Sequence, residues 1–231
     1  MFEERYGIML DLETLGILDD TTIIQIGAVL FDRFNGEILE KFESRMDIRT
    51  IADQFDSFIE DIKKNKEKRD LNVTGKSLVK DHLFIATEQS IDAGTLDFWM
   101  RTESNFNKFI ELIDCNNGVS EWEMLNQFKT FVQNAQMTYG DSITIWGNGI
   151  SFDVVKIKKK MMKYDLEFPI MFYYERDVRT LLELASLKSN MSINEIKNSV
   201  PKNNYAHDAL EDCIFQVNYL VYALNIILDK N

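Results

Sequence analysis

Proline, cysteine and histidine are scarce in this chain, and long apolar runs are absent. There are two residues of each of these three types among 231. No proline-, glycine- or serine-rich linker interrupts the sequence, so we expect a single domain over residues 1–231. No run of 18 or more apolar residues occurs, which excludes a conventional transmembrane helix. The charged N-terminus leads directly into a strand pattern, which is not typical of a signal peptide.

The two cysteines, Cys115 and Cys213, form neither a CxxC motif nor a cysteine–histidine metal pattern. We therefore interpret them as reduced thiols in a cytoplasmic protein.

Positive charge is also in short supply, since the net charge is −12. This balance argues against a protein that coats nucleic acid by bulk electrostatics, but not against a nucleic-acid enzyme with bound cations or local basic patches. Two basic runs occur, at 63–69 and 156–163. The first is typical of a solvated helix face. The second directly follows a candidate site, so it fits either a solvated face or a substrate-binding patch.

Three strand patterns open the chain, at Tyr6–Glu13, Thr22–Phe31 and Glu37–Arg45. The second is rich in β-branched residues, the third alternates, and Asn35-Gly36 is a strong hairpin signal between these two. A fourth strand is predicted at Ser142–Trp146, before the break Gly147-Asn148-Gly149. The opening three patterns therefore predict an antiparallel meander.

Helical spacing of apolar residues alternates with these strands. We predict helices at 51–62, 95–101, 120–133, 152–162, 177–187 and 208–228. Residues 63–90 are polar and poorly periodic, and they form either a long loop or a small subdomain. A meander followed by helices and a further strand predicts an α/β sheet with helices on both faces.

Two carboxylates interrupt the first strand, in the apolar run MLDLETL. Asp11 and Glu13 are two residues apart, so their side chains point to the same face. Such a pair either grips a divalent cation or makes ordinary salt bridges on an exposed face. Asp153 follows the fourth strand and its Gly-rich break, where sites collect in α/β sheets, although an aspartate there could equally be a helix N-cap.

His207 and Asp212 lie five residues apart in NYAHDALED. On a continuous helix this spacing turns the side chains about 140° apart. We therefore expect His207 on the turn before the last helix and Asp212 on its second turn. A solvent-reachable histidine suits a general base, or is simply a surface histidine beside acids. Asp208 competes with Asp212 for the site, and we interpret it as a first-turn acid favoured by the helix dipole.

Taken together, DLE (11–13), GNGISFD (147–153) and HDALED (207–212) resemble the DEDDh exonucleases, which have a ribonuclease H-like fold. The WGNGISFD form, TLDFW (95–99) and RDVRT (176–180) are similar to the exonuclease A proteins of large tailed phages and their bacterial exoribonuclease-like relatives. Many DEDDh members carry an asparagine four residues before the central aspartate, whereas Asn148 here is five before Asp153. Residues 48–94 are longer and more charged than the family core needs, and are a candidate insertion.

The resemblance implies two Mg²⁺ or Mn²⁺ ions. Asp11 would bridge them, Glu13 and Asp212 would help hold the ion carrying the attacking water, Asp153 would support the second ion, and His207 would take the proton. The implied reaction releases 5′-mononucleotides from a free 3′ end of single-stranded nucleic acid.

The resemblance also implies that Thr14 and Leu15 touch the terminal nucleotide. Trp99 and Phe152 either stack on bases or pack in the core. The phage relatives favour DNA as the substrate, and the bacterial relatives favour RNA. If the chain is viral, as the phage resemblance implies, we expect it in the host cytoplasm. Other readings are an inactive nucleic-acid-binding domain or an editing subunit acting with a polymerase.

Overall fold

Five strands form one mixed sheet in the order β3-β2-β1-β4-β5. The protein is represented by a computed structural model that describes residues 4–68, 74–114, 117–202 and 207–229. The strands are β1 (Tyr6–Thr14), β2 (Ile23–Asp32), β3 (Ile38–Arg45), β4 (Thr144–Gly147) and β5 (Glu175–Asp177). The first three are antiparallel neighbours, as the hairpin signal predicted, while β4 runs parallel to β1 and β5 runs parallel to β4.

Ten helices occur in the described part of the chain. They are α1 (Gln54–Lys68), α2 (Gly75–Asp81), α3 (Leu83–Glu88), α4 (Ala93–Met100), α5 (Glu103–Ile113), α6 (Glu121–Tyr139), α7 (Ile150–Lys163), α8 (Val178–Ser189), α9 (Ile193–Asn198) and α10 (Ala209–Ile227). Among the described residues, none of these helices combines the length and apolarity needed to cross a bilayer.

The two faces of the sheet bury separate apolar clusters, because side chains alternate along β1. Ile8, Leu10 and Leu12 pack into the cluster that includes α1, α6 and α7. Met9 faces the other cluster, which is built mainly from α8 and α10. Asp11 and Glu13 have the parity of Met9, so they lie on the face that α10 covers.

The start of α10 lies directly against β2 at Gly27. A Cβ atom at Gly27 would stand 2.2 Å from the backbone carbon of Ala209. Gly27 is also the β-sheet partner of Asp11. The absent side chain therefore lets the helix approach the strand that carries the first acid.

Most predicted elements are confirmed, and their boundaries move by a few residues. Ser120 caps α6 as predicted, since its hydroxyl accepts the backbone N–H of Glu123 at 3.2 Å. The segment at 63–90 contains α2 and α3 as well as the end of α1. The helices α5 and α9 and the three-residue β5 were not predicted.

The thiol of Cys213 is buried and free, with its sulfur 3.3 Å from the carbonyl oxygen of Gly27. Cys115 and the end of the first basic run lie outside the described residues.

Candidate active site

The start of α10 carries two of the predicted site residues. His207 occupies the turn before the helix and has a positive φ of 65°. Asp212 lies in the first turn rather than the predicted second turn, because the helix begins at Ala209. Both groups therefore stand at the end of the helix that meets the sheet.

Asp208 is the N-cap of α10 rather than a first-turn residue. Its carboxylate accepts the backbone N–H groups of Leu210 and Glu211 at 3.2 Å, and the Lys108 amine lies 2.7 Å from it. Burial opposes ionisation, but the Lys108 amine and the Glu211 N–H lower the pKa of Asp208 below its usual value. Asp208 thus caps the helix and leaves the site to Asp212.

Glu13, His207 and Asp212 form a compact group of metal-ligand types. One oxygen or nitrogen atom from each lies within 4.8 Å of the other two. Glu13 itself is 8% exposed. This spacing would allow a single cation to contact all three residues.

Asp153 joins the acids from the first turn of α7. It does not cap that helix: the N-cap is Gly149, with a φ of +110°, and the free N–H of Ile150 donates instead to Asp177 at 2.8 Å. Burial raises the pKa of Asp153 to about 7, although Lys156 and Arg179 partly oppose the shift. The N-cap alternative for Asp153 is therefore wrong.

The acids on β1 share this unfavourable electrostatic environment. Burial, followed by the charges of Asp153, Glu13 and Asp212, raises the pKa of Asp11 well above its usual value. Burial and Asp212 do the same for Glu13. One oxygen of Asp11 accepts a hydrogen bond from the Gln216 amide at 2.8 Å, which fixes the carboxylate. A cluster of this kind binds protons or cations strongly.

Two cavities flank the acids and share the walls Leu12, Phe98 and Phe152. The larger, about 530 Å³, is lined by Asp11, Leu12, Phe98, Asn148, Gly149, Ser151, Phe152, Asp153, Arg179 and His207. The smaller, about 170 Å³, is lined by Leu12, Glu13, Thr14, Gly16, Ile17, Thr95, Phe98, Trp99 and Phe152. The acids therefore stand between two spaces that are open to a ligand.

Phe98, rather than Trp99, is the aromatic residue of α4 that lines both cavities. The Trp99 side chain is 1% exposed, stacks on Phe109 with centroids 5.3 Å apart, and donates its indole N–H to the carbonyl of Thr14. Of the two alternatives for Trp99, this environment favours core packing, although the residue also borders the smaller cavity. Phe98 meets the His207 ring edge to face at 4.8 Å. Sequence reasoning missed Phe98, although TLDFW contains it.

The remaining predicted substrate residues have different surroundings. Leu15 is fully buried, so a side-chain contact with substrate is wrong, because that side chain belongs to the core. The Thr14 hydroxyl donates to the carbonyl of Gly16 at 2.8 Å. Phe152 is 38% exposed, which excludes core packing, and the Lys156 amine lies 3.3 Å from its ring centroid.

The second basic run is mostly paired within the protein. Lys160 and Lys163 bind Glu121, and Lys158 binds Glu175. Only Lys156 of this group contacts a residue of the cavities.

The family model described as the 3′-5′ exoribonuclease Rv2179c-like domain matches residues 6–224. The chain belongs to this family. It is accordingly a 3′–5′ exonuclease, a hydrolase that acts on nucleic acid. The matched region contains all the acids described above and His207.

Three individual proteins are similar to this chain in sequence or in structure. The exodeoxyribonuclease of Enterobacteria phage T4 is 24% identical over 233 residues, covering 95% of this chain and 89% of that protein. The crystal structure of cell-death related nuclease 4 (CRN-4) has a TM-score of 0.56 at 16% identity. The match covers 96% of this chain but 64% of that chain. A structure described as 3′-end specific recognition of histone mRNA stem-loop by 3′-exonuclease matches with a TM-score of 0.46 and 9% identity. This match covers 98% of this chain and 82% of that chain. The sheet order and the CRN-4 match confirm the ribonuclease H-like α/β fold.

Proposed function

We propose that the protein is a divalent-metal-dependent exonuclease that releases 5′-mononucleotides from the 3′ end of single-stranded nucleic acid. The observation that carries the proposal is the convergence of Asp11, Glu13, Asp153, His207 and Asp212 between two cavities. These five residues are the set that the sequence suggested. An inactive binding domain would have no need to keep so costly a cluster.

The donor set fits hard cations such as Mg²⁺ or Mn²⁺. It offers carboxylate oxygens and one imidazole, with no cysteine among the ligand types that converge. Asp11, Glu13, Asp153 and Asp212 would hold two such ions. When bound, the ions would polarise the phosphodiester and stabilise the leaving 3′ oxygen.

His207 acts as the general base in this proposal. Its ring lies against Phe98 and within reach of Glu13 and Asp212, at the mouth of the larger cavity. The left-handed backbone at this residue projects the ring from the turn rather than from the helix. The imidazole would accept a proton from the attacking water and pass it to solvent.

The terminal nucleoside would occupy the smaller cavity, beside Thr14. Phe98 and Phe152 both line it, and their faces could hold a base without regard to sequence. For Leu15, only the backbone remains available for a substrate contact.

We favour DNA as the substrate because the similar phage T4 protein is an exodeoxyribonuclease. RNA is the second candidate, because the family description names an exoribonuclease. The two differ at the 2′-hydroxyl, which the residues lining the cavities must either accept or exclude.

We also propose that residues 1–231 form a single domain. Apolar side chains of the candidate insertion, 48–94, belong to the same cluster as β1, which supports this reading.

Digestion of matched single-stranded DNA and RNA, with free and blocked 3′ ends, tests the function. Wild-type protein with Mg²⁺ or Mn²⁺ should release mononucleotides only from free 3′ ends, and EDTA should stop it. Asp153→Ala should abolish release while circular dichroism stays unchanged. Full activity of that variant would remove Asp153 from the site. Equal digestion of blocked ends would refute the 3′ polarity.

His207→Ala separates the base from a metal ligand. If His207 is the general base, the variant should have a lower kcat, while the concentration of Mn²⁺ needed for half-maximal activity should stay the same. A large rise in that concentration would make His207 a ligand instead.

A further inference from the structure

The RDVRT segment supplies one arginine that the proposed mechanism does not use. Arg179, near the start of α8, lines the larger cavity together with Asp11, Asp153 and His207. Its side chain is exposed. The other arginine of the segment, Arg176, is turned away and binds Glu4 at 3.0 Å. The two arginines therefore have different tasks.

The Arg179 guanidinium has no carboxylate partner within 4.0 Å among the described residues. Its nearest acid in sequence, Asp177, is engaged elsewhere: one oxygen accepts the N–H of Ile150 and the other accepts the backbone N–H of Arg179 itself. Five other arginines of this acidic chain form ion pairs, namely Arg5, Arg33, Arg45, Arg49 and Arg176. Within the described residues, Arg101 also lacks a carboxylate within 4.0 Å, but it is exposed and lines neither cavity. An unpaired guanidinium in a ligand-sized cavity has its donors available.

The guanidinium lies directly against the backbone at Gly149, where no side chain intervenes. A Cβ atom at Gly149 would stand 3.0 Å from its central carbon and 3.1 and 3.2 Å from its two terminal nitrogens. A side chain at position 149 would therefore crowd the guanidinium, and glycine leaves room for the planar group to pack against the backbone. Preorganised arginine forks suit bidentate contacts with phosphate.

Two further features of this end of the cavity indicate a nucleotide ligand. The side-chain oxygen of Asn148 is buried and has no hydrogen-bond partner in the structure. Because Asn148 lines the larger cavity, this oxygen is available to accept a hydrogen bond from a ligand, for example from a sugar hydroxyl. Lys197 on α9 is close enough for Arg179 to contribute, after burial, to lowering its pKa. Arg179 and Lys197 therefore bring two positive charges near each other, in a chain that is otherwise strongly acidic.

We infer that Arg179 binds the backbone phosphate immediately 5′ of the scissile phosphate, and so positions the strand that remains after cleavage. The acids occupy the position of the scissile phosphate, and the smaller cavity, which Arg179 does not line, would take the terminal nucleoside. The phosphate 5′ of the scissile phosphate would then lie in the larger cavity, which Arg179 lines. This inference rests on the proposed function and applies equally to DNA and RNA, since their phosphates are alike.

Two substrates of different length test the inference on Arg179→Ala. One is a single-stranded oligonucleotide, and the other is the p-nitrophenyl ester of thymidine 5′-monophosphate, which has a scissile phosphate but no upstream phosphate. The variant should raise KM for the oligonucleotide about 10- to 100-fold, the range for a lost charged hydrogen bond. Its hydrolysis of the ester should stay within about threefold of wild type.

A neutral linkage gives an independent test. In an oligonucleotide with a methylphosphonate 5′ of the scissile linkage, wild type should fall to the level of Arg179→Ala, and the variant should lose nothing more. Arg176→Ala, which removes the same charge three residues away, should leave KM for both substrates unchanged.

Other outcomes overturn the inference. Equal losses on the ester and the oligonucleotide would mean that Arg179 acts on the scissile phosphate or through Asp153. No loss on either would mean that it binds no phosphate. If wild type cleaves neither substrate, the proposed function fails instead.

Discussion

At the residue scale, the acid cluster opposes folding when no cation neutralises it. The pKa of Asp153 rises from 3.8 to about 7, so the folded state binds this proton more tightly than the unfolded state does. The resulting stability is complete below pH 3.8 and is lost as the pH rises through about 7. The acids that the proposed activity requires therefore lower the stability of the cation-free fold at neutral and higher pH.

Asp153→Asn should therefore be inactive and yet more stable than wild type in EDTA at pH 8. We expect Tm to rise by about 2–4 °C for each kcal/mol of repulsion relieved. At pH 5, where wild-type Asp153 is protonated, the two melting curves should approach each other. Differential scanning calorimetry at both pH values provides the measurement.

Asp141→Asn is the matched control, because Asp141 is exposed. Its Tm should change little at either pH. A variant at position 153 that melts below wild type at pH 8 would show that the carboxylate stabilises the metal-free fold.

Some site residues could be predicted from the local sequence pattern, whereas others depend on contacts between distant segments. The shared face of Asp11 and Glu13 follows from strand geometry alone, and it could be predicted. Whether Phe98 or Trp99 faces the site depends on how α4 is rotated against the sheet, which packing with Phe109 decides. Likewise, only the structure separates Asp208 from Asp212, because Gln25 and Lys108 come from distant segments to bind the cap.

At the element scale, the contact of α10 with β2 is sensitive to a single methyl group. Gly27→Ala should push the start of the helix outward and carry His207 and Asp212 away from Asp11. We expect destabilisation of about 1–3 kcal/mol from overpacking, together with a loss of kcat. Chemical denaturation and steady-state kinetics would measure both effects.

Gly94→Ala serves as the comparison, because Gly94 is exposed on α4 and an added Cβ would approach only the Asp92 side chain, at 3.1 Å. That variant should keep its activity. If Gly27→Ala is as active as Gly94→Ala, the close approach is not required.

A buried ion pair joins α6 to α7 and gives the fold its own pH dependence. Glu121 lies 2.9 Å from the Lys160 amine and accepts a hydrogen bond from the Tyr164 hydroxyl at 2.8 Å. Burial opposes ionisation, but Lys160, with Tyr164 and Lys163, lowers the pKa of Glu121 below its usual 4.5. Its stabilisation is present above pH 4.5 and is lost as the pH falls through the lower folded-state value.

Glu121→Gln should cost about 1–3 kcal/mol at pH 7. The difference from wild type should shrink in acid, once the wild-type carboxyl is protonated. Urea unfolding from pH 7 to pH 3 follows this difference, and a constant gap across the range would contradict it.

The elements that were not predicted from sequence patterns differ in how much they depend on tertiary contacts. A strand of three residues such as β5 has no periodicity of its own, and it exists because β4 supplies its hydrogen bonds. The α5 helix did carry a signal, with a Thr102 cap and apolar residues at helical spacing, and could have been found. Long periodic segments such as α10 were predicted to within one residue at each end.

At the scale of the whole molecule, a net charge of −12 limits how many phosphates the protein can neutralise. Among the described residues, Arg179 lines the larger cavity, Lys156 contacts Phe152, and Lys197 is near Arg179. With about two or three phosphate contacts on a single strand, the slope of log affinity against log salt should be about −1.5 to −2. Titration of Asp153→Asn with a labelled oligonucleotide in increasing KCl would give this slope.

Adding Arg179→Ala to that variant should make the slope shallower by about 0.7. A slope several times steeper would indicate an extended basic track elsewhere on the protein.

The first acid of the cluster lies on β1 and the last on α10, close to opposite ends of the family-matched region. Nearly the whole matched region must therefore be synthesised before these groups can meet, so a chain that ends before α10 has no complete acid cluster. In refolding experiments, the rate at which activity returns would therefore report when α10 docks on the sheet, a contact between residues far apart in the sequence.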